Sequence, residues 1–117
     1  MAADSALIEW AKEALEPMGA ITHRAMMGAA VLYCDGTLFA VVDDEAIYFK
    51  MDTVSAPVWD EAGCPPFTFI TKEGETVSMN YRRAPDDVYD DTDAMRQWAT
   101  LGLAAGLRAP VKKKRAK

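Results

Sequence analysis

Two cysteines and one histidine are the side chains of this sequence with the clearest potential for chemistry. A nucleophilic thiolate at Cys34 or Cys64 would need a nearby cation or a helix N-terminus, and Cys34 is instead followed by Asp35. His23 has no serine, cysteine or aspartate at a spacing that indicates a catalytic pair. Three soft ligands are also too few for a closed zinc site. We therefore predict a protein that is not an enzyme and that binds no metal or other cofactor.

An acidic segment offers the other possible chemistry, the binding of a divalent cation. Five aspartates lie between Pro85 and Ala94. The segment lacks the glycine and the bidentate glutamate of a calcium-binding loop. We interpret it as a solvated loop whose carboxylates favour a helix N-terminus, with weak Mg²⁺ or Ca²⁺ association as the alternative.

The hydrophobic pattern predicts the elements that position these groups. Helical periodicity indicates helices at 5–16, 53–62 and 92–108. Between them, apolar and β-branched segments predict about six strands, at 21–27, 29–34, 37–42, 46–50, 67–71 and 76–82. Asp35-Gly36 indicates a type I′ turn between the second and third strands. Gly102 and Gly106 are expected to bring the last helix close to the sheet.

The charge of the chain is unevenly distributed. The 117 residues carry a net charge of −5. Residues 1–111 contain 8 Lys and Arg against 18 Asp and Glu, a net of −10, and residues 112–117 add +5. We expect one folded domain at 1–108 and a basic, disordered tail at 109–117. An acidic body is poorly suited to wrapping nucleic acid, although the tail and Arg82-Arg83 could contact phosphates.

Three polar side chains within predicted apolar strands require a partner or a function. They are Arg24, Lys50 and Tyr81. Pairing with buried aspartates is one explanation, and a binding surface is the other; we favour pairing. The absence of a signal peptide and of a long apolar segment predicts a soluble, cytoplasmic protein with no membrane partner.

The order of motifs from Arg24 to Ala99 resembles the TfoX N-terminal domain family. The family block Arg-x-Met-Phe-Gly-Gly-x-Gly-Leu-Tyr-x-Asp-Gly is matched here at these positions: Arg24, Met26, Gly28, Leu32, Tyr33, Asp35 and Gly36. Further matches follow in order: Phe39-Ala40, Ile47–Lys50 with Asp52, Pro66-Phe67, Met79, Tyr81, Pro85 and Trp98-Ala99. The sequence departs from the family at Met27, which replaces a phenylalanine. It departs again at 29–31, where Ala-Ala-Val replaces a glycine-rich stretch.

This resemblance implies a fold and a type of function. The implied fold is a two-layer α+β domain, an antiparallel sheet with the helices packed on one side. Longer members of the family regulate competence for DNA transformation and carry a second domain, which we expect this chain to lack. The resemblance transfers no catalytic residue, and Arg24, Met26, Gly28, Tyr33, Lys50 and Tyr81 are its candidate binding residues.

Two functions remain open from the sequence. The first is a non-enzymatic regulatory or adaptor domain that contacts a protein partner, as a monomer or a homodimer. The second is a nucleic-acid-associated protein. Its contacts would come from the tail and one adjacent pair of arginines: Arg82, Arg83, Lys112, Lys113, Lys114 and Arg115.

Overall fold

The computed structural model describes residues 5–26 and 29–109, which form one antiparallel sheet with helices. The helices are α1 (Ser5–Leu15), α2 (Ala56–Glu61) and α3 (Thr92–Arg108), with short 3₁₀ helices at Glu16–Met18 and Asp86–Tyr89. The strands are β1 (Ile21–Met26), β2 (Ala29–Cys34), β3 (Thr37–Val42), β4 (Ile47–Lys50), β5 (Pro66–Ile70) and β6 (Thr76–Arg83). The predicted α+β architecture with six strands and three helices is confirmed. Within the described ranges, no helix is both long enough and apolar enough to cross a membrane.

The sheet is built almost entirely from sequential hairpins. Its strand order is β1-β2-β3-β4-β6-β5, and every neighbouring pair is antiparallel. The predicted Asp35-Gly36 turn is confirmed, since φ is 49° at Asp35 and 86° at Gly36, the left-handed values that a type I′ turn requires. The register between β2 and β3 shifts after Leu32, where Phe39 is the extra residue. This irregularity allows the sheet to bend.

One face of the sheet is covered by the helices and contains the main core. Its largest fully buried side chains come from both layers: Trp59, Phe39, Phe49, Leu15, Leu32, Ile47 and Met95. Phe49 of β4 stacks against Trp59 of α2, which in turn contacts Trp98 of α3 at 4.9 Å between ring centroids. The rings therefore join both later helices to the middle of the sheet.

Two glycines allow α3 to lie directly on β3, as the sequence predicts. A Cβ at Gly102 would lie 2.9 Å from the carbonyl oxygen of Phe39, and one at Gly106 would lie 2.5 Å from that of Leu38. Ordinary contacts of a Cβ begin at 3.4 Å. The helix axis can approach the backbone of β3 this closely only because both positions lack a side chain.

The N-terminal helix is fixed to α3 and to the 3₁₀ helix before it by side chains that bond to distant backbone groups. The indole N–H of Trp10 donates to the carbonyl of Val88 at 2.8 Å, and Arg96 Nε donates to the carbonyl of Ala14 at 2.6 Å. α1 is therefore joined both to the start of α3 and to the segment before it, although about 80 residues separate them in the chain.

The start of α2 differs from the sequence prediction. The helix begins at Ala56 and ends at Glu61, so it is shorter than the predicted 53–62. The Ser55 hydroxyl contacts Asp52 and makes no capping bond to the helix. In return, the Asp52 carboxylate accepts the backbone N–H of Ser55 at 3.0 Å. The Asp52 side chain thus organises this turn, and Gly63, with φ of 74°, follows the helix.

Candidate functional site

The face of the sheet opposite the helices carries most of the candidate residues. Side chains directly across from each other in neighbouring strands share one face. The register places one row across five strands, in the order Arg24, Val31, Val41, Tyr48 and Arg83. By the same alternation, Tyr33 of β2, Lys50 of β4 and Tyr81 of β6 belong to this face. We call these eight residues the open face.

The middle of the open face is a small second core. Five buried residues contact one another there: Val31, Val41, Ala46, Tyr48 and Tyr81. Partly buried side chains border this cluster: Ala29, Tyr33, Leu38, Phe67 and Tyr89. None of them belongs to α1, α2 or α3. The strands, the turn residue Ala46 and Tyr89 of the second 3₁₀ helix bury these apolar groups, so the open face has an ordered aromatic floor.

Lys50 and Tyr81 form a cation–π pair on this floor. Lys50 Nζ lies 5.3 Å from the centroid of the Tyr81 ring, and the two residues are directly opposite in β4 and β6. Burial raises the pKa of the Tyr81 hydroxyl, and the nearby Tyr33 raises it further. The sequence analysis favoured aspartate partners for Arg24, Lys50 and Tyr81. The structure does not show such partners among the described residues. Lys50 has an aromatic partner, and Arg24 is exposed on β1.

The adjacent residues Arg82 and Arg83 point to opposite faces. Arg82 is opposite Phe49, on the helix-covered face, where its Nη1 donates to the Cys64 carbonyl at 2.9 Å and pairs with Asp60 at 2.8 Å. Its side chain is 14% exposed. Arg83 is opposite Tyr48 on the open face. The two arginines therefore do not form one basic patch, and Arg82 has a structural role in holding α2 and the following loop.

The three basic side chains of the open face have no carboxylate partner among the described residues. The ion pairs there are Arg82–Asp60, Arg96–Asp93 and Arg108–Asp52, and none includes Arg24, Lys50 or Arg83. Within the buried cluster, burial raises the pKa of the Tyr48 hydroxyl, and Asp43 raises it further through its charge and a hydrogen bond. The open face thus combines phenol groups with cations that lack a carboxylate partner among the described residues, in a chain that is acidic overall.

Several other candidate residues fall partly or wholly outside the described part of the chain. The backbone of Met26 pairs with Ala29 at the end of β1. Gly28 and the basic tail residues Lys112, Lys113, Lys114 and Arg115 lie outside the described residues, so their proposed contacts stay predictions. The domain limits of 1–108 and 109–117 stay predictions for the same reason.

The potential nucleophiles are in unreactive surroundings. Cys34 and Cys64 are both buried and free, and burial raises the pKa of each thiol. The charge of Asp35 raises the pKa of Cys34 further, in the direction that the sequence indicates. His23 is exposed on β1 and opposite Leu32, with neither thiol as its pairing partner in the sheet. These three residues are therefore not assembled into a catalytic group.

The acidic segment 86–93 leads into α3 and includes the residue that caps its N-terminus. Asp91 precedes α3, and its carboxylate accepts the backbone N–H groups of Asp93 and Ala94 at 2.9 and 3.3 Å. Within residues 5–26 and 29–109, no three His, Cys, Asp or Glu side chains are grouped so that they could hold a metal ion. The helix-capping role predicted for this segment is thus visible at Asp91.

An open cavity of about 710 Å³ lies where β4, the turn before α2 and the end of α3 meet. Its border includes Lys50, Asp52, Val54, Asn80 and Arg108. Asp52 and Arg108 form a bidentate pair, with Nε to Oδ2 at 2.7 Å and Nη2 to Oδ1 at 2.9 Å. This arginine holds the pKa of the Asp52 carboxyl well below its usual range. Sequence analysis did not identify this pair, since 56 residues separate its members.

The fold and this surface define a class of protein: a two-layer α+β domain whose helices cover one face of the sheet and leave an aromatic, cationic face open. The TfoX N-terminal domain matches the sequence over residues 4–106, and the chain belongs to that family. It is also similar to Protein Sxy of Escherichia coli (strain K12), with 28% identity over 98 residues. That match covers 83% of this chain and 46% of Protein Sxy, so the chain spans about half the length of this relative.

Proposed function

We propose that this protein is a non-enzymatic regulatory domain that acts by binding a protein partner through the open face, in competence or transcription regulation. Membership of the TfoX N-terminal domain family supports the regulatory role. The similarity to Protein Sxy supports it as well, over about half of that protein's length. The single observation that carries the mode of action is the position of Arg24, Tyr33, Lys50 and Tyr81 on one face.

The open face has the properties of a recognition surface. Its floor is ordered, because Tyr48 and Tyr81 are buried and the Lys50 ammonium lies over the Tyr81 ring. Little side-chain entropy would be lost at these positions on binding. The cations Arg24 and Arg83 lie at the two ends of one row. A partner segment with carboxylates would supply the opposite charges that these side chains lack within the described residues.

A charge-reversal comparison tests this surface. The test protein carries Arg24→Glu and Arg83→Glu, and the matched control carries Lys12→Glu and Lys72→Glu. Both change the net charge by −4, but Lys12 lies on α1 and Lys72 lies in the turn between β5 and β6. Wild-type, test and control proteins are used for affinity capture from a bacterial lysate, and bound proteins are identified by mass spectrometry.

The proposal requires a partner that wild type and control both retain and that the test protein loses. Equal retention by all three proteins would place the contact elsewhere. The absence of any partner above background would remove the support for action through protein contacts. Thermal unfolding of each variant shows whether a loss of binding reflects a loss of the fold.

Nucleic-acid binding is the second candidate function, and the presence of Arg83 on the open face favours it. Arg82 does not contribute in this structure, because Asp60 and the Cys64 carbonyl already bind its guanidinium. A labelled DNA duplex is titrated at 50 and 200 mM salt with wild type and with a variant that lacks residues 112–117. If the basic tail binds the duplex, the affinity must fall steeply as the salt concentration rises, and the truncated variant must not bind. No binding at the lower salt concentration would exclude it.

A further inference from the structure

Strand β1 forms one edge of the sheet and lacks the proline and the register shift that the other edge has. Its register with β2 is unbroken over six residues, and Thr22, His23, Arg24 and Ala25 are exposed. The opposite edge, β5, begins with Pro66 and has an irregular register near it. Proline and irregular pairing are features that block the addition of a strand. Among the described residues, the β1 edge therefore offers the longer regular row of backbone groups.

The direction of these backbone groups follows from one hydrogen bond. The N–H of Asp35 donates to the carbonyl of Ala20 at 2.9 Å, in the register that continues into β1 and β2. In an antiparallel pair, alternate residues direct both backbone groups toward the neighbouring strand. Thr22, Arg24 and Met26 therefore bond to β2, as Ala20 does. The N–H and C=O groups of the remaining residues, at positions 21, 23 and 25, point away from the sheet.

This outward set is self-complementary. If a second copy of β1 approaches antiparallel with His23 opposite His23, then Ile21 lies opposite Ala25 in both halves. Each of these three pairs exchanges two backbone hydrogen bonds, so all six outward groups of each copy are paired. In the same register, Arg24 lies opposite Thr22 of the second copy. No two like charges are directly opposed, which would otherwise destabilise the pairing.

We propose that this protein self-associates through β1, in a two-fold symmetric pair centred on His23 that joins two six-stranded sheets into one. The partner is a second copy of this chain. The outward N–H and C=O groups of residues 21, 23 and 25 are symmetric about His23, so a second copy forms a hydrogen bond with each of them. The two open faces would then lie on the same side of the joined sheet. The contact is small, so the dimer is weak and depends on concentration. It involves backbone groups that the proposed function does not use, and either proposal can fail alone.

Disulfide trapping tests the register. The variant His23→Cys places two thiols across a hydrogen-bonded pair, where the Cα atoms are about 5.5 Å apart and within disulfide range. The matched control is Arg24→Cys, at a neighbouring exposed position whose opposite residue is Thr22. There the two Cα atoms are about 8 Å apart, beyond disulfide range. Cys34 and Cys64 are buried with raised thiol pKa values, so they compete little at neutral pH.

A proline substitution tests the hydrogen bonds. Ala25→Pro removes an N–H that points away from the sheet and leaves the bonds between β1 and β2 intact. Its control, Ala25→Val, keeps the N–H. Both are compared with wild type by sedimentation over a range of concentrations. Two hydrogen bonds are lost per dimer, so Ala25→Pro should raise the dimer dissociation constant by about tenfold or more.

The expected result is rapid cross-linking of His23→Cys, slow cross-linking of Arg24→Cys, and dimers of wild type and Ala25→Val that Ala25→Pro weakens. Equal cross-linking of both cysteine variants would overturn the register. Monomeric wild type up to its solubility limit, or an unchanged dimer of Ala25→Pro, would overturn the proposal. If Ala25→Pro does not fold, the comparison of the cysteine variants decides.

Discussion

The close contact between α3 and β3 predicts that alanine at Gly106 or Gly102 destabilises the protein, against the intrinsic preference of a helix. Alanine is favoured over glycine inside a helix by about 1 kcal/mol. A Cβ at Gly106 would lie 2.5 Å from the Leu38 carbonyl oxygen, 0.9 Å short of the 3.4 Å at which ordinary contacts begin. At Gly102 the nearest atom is the Phe39 carbonyl oxygen at 2.9 Å, which is 0.5 Å short. Both obstacles are backbone atoms held by the sheet, so α3 must move.

The magnitude follows from the balance of these two effects. Overpacking of a well-packed core costs about 1–3 kcal/mol, and more where the obstacle is rigid. After the gain in helix propensity, we expect a net loss of up to about 2 kcal/mol for each substitution. For a domain of this size, that is a decrease in Tm of up to roughly 8 °C. Gly106→Ala has the closer contact, but it lies near the end of α3, where the helix can move more easily.

Chemical and thermal unfolding measure the effect, with Thr100→Ala as the control. Thr100 is exposed on the same helix, so its replacement by alanine adds helix propensity without a new contact. The control should be neutral or slightly more stable than wild type, while both glycine variants are less stable. If Gly102→Ala and Gly106→Ala were stabilised by about 1 kcal/mol, helix propensity alone would decide the outcome. The inferred contact between α3 and β3 would then be wrong.

Three further predictions concern single contacts. Asp52→Asn should lower Tm at pH 7, because it removes the charged partner of Arg108. Pairing lowers the folded-state pKa of Asp52, so the difference in Tm between variant and wild type should be largest near neutral pH. The difference should shrink as the pH falls below about 4. Iodoacetamide at pH 7 should modify Cys34 and Cys64 slowly in the folded protein, since burial raises both thiol pKa values, and rapidly once the protein is unfolded. Rapid labelling of the folded protein would contradict the unreactive surroundings described above. Trp10→Phe should lower the free energy of unfolding in urea by about 1–2 kcal/mol, because it leaves the Val88 carbonyl without its hydrogen-bond donor. An unchanged midpoint of urea unfolding would argue against that bond.

Much of the fold could be predicted because its signals are local. The period of apolar residues and the acidic residues before α3 defined that helix, and Asp35-Gly36 defined a turn that needs positive φ. The separation of Arg82 from Arg83 was also within reach, since adjacent strand residues point to opposite faces. The alternation alone could not say which face the helices cover.

The candidate site was less predictable, because its interactions join distant parts of the chain. The sequence marked Lys50 and Tyr81 as polar residues in apolar strands, but their pairing depends on β4 lying beside β6. The Asp52–Arg108 pair likewise requires α3 to return to the start of α2. The outward backbone groups of β1 have no side-chain signature at all. Their direction follows from the register of a hydrogen-bonded ladder, which only the structure provides.

The bonds that join α1 to α3 have a consequence for how the molecule opens. Most strand pairs are local hairpins, whereas the Trp10–Val88 and Arg96–Ala14 bonds connect positions 78 and 82 residues apart. α1 cannot leave the sheet without breaking its bonds to α3 and to the 3₁₀ helix before it. Amide hydrogens of α1 and α3 should therefore exchange with solvent with one shared opening free energy, as a cooperative unit. The helices at the two ends of the described chain, α1 and α3, would therefore unfold together.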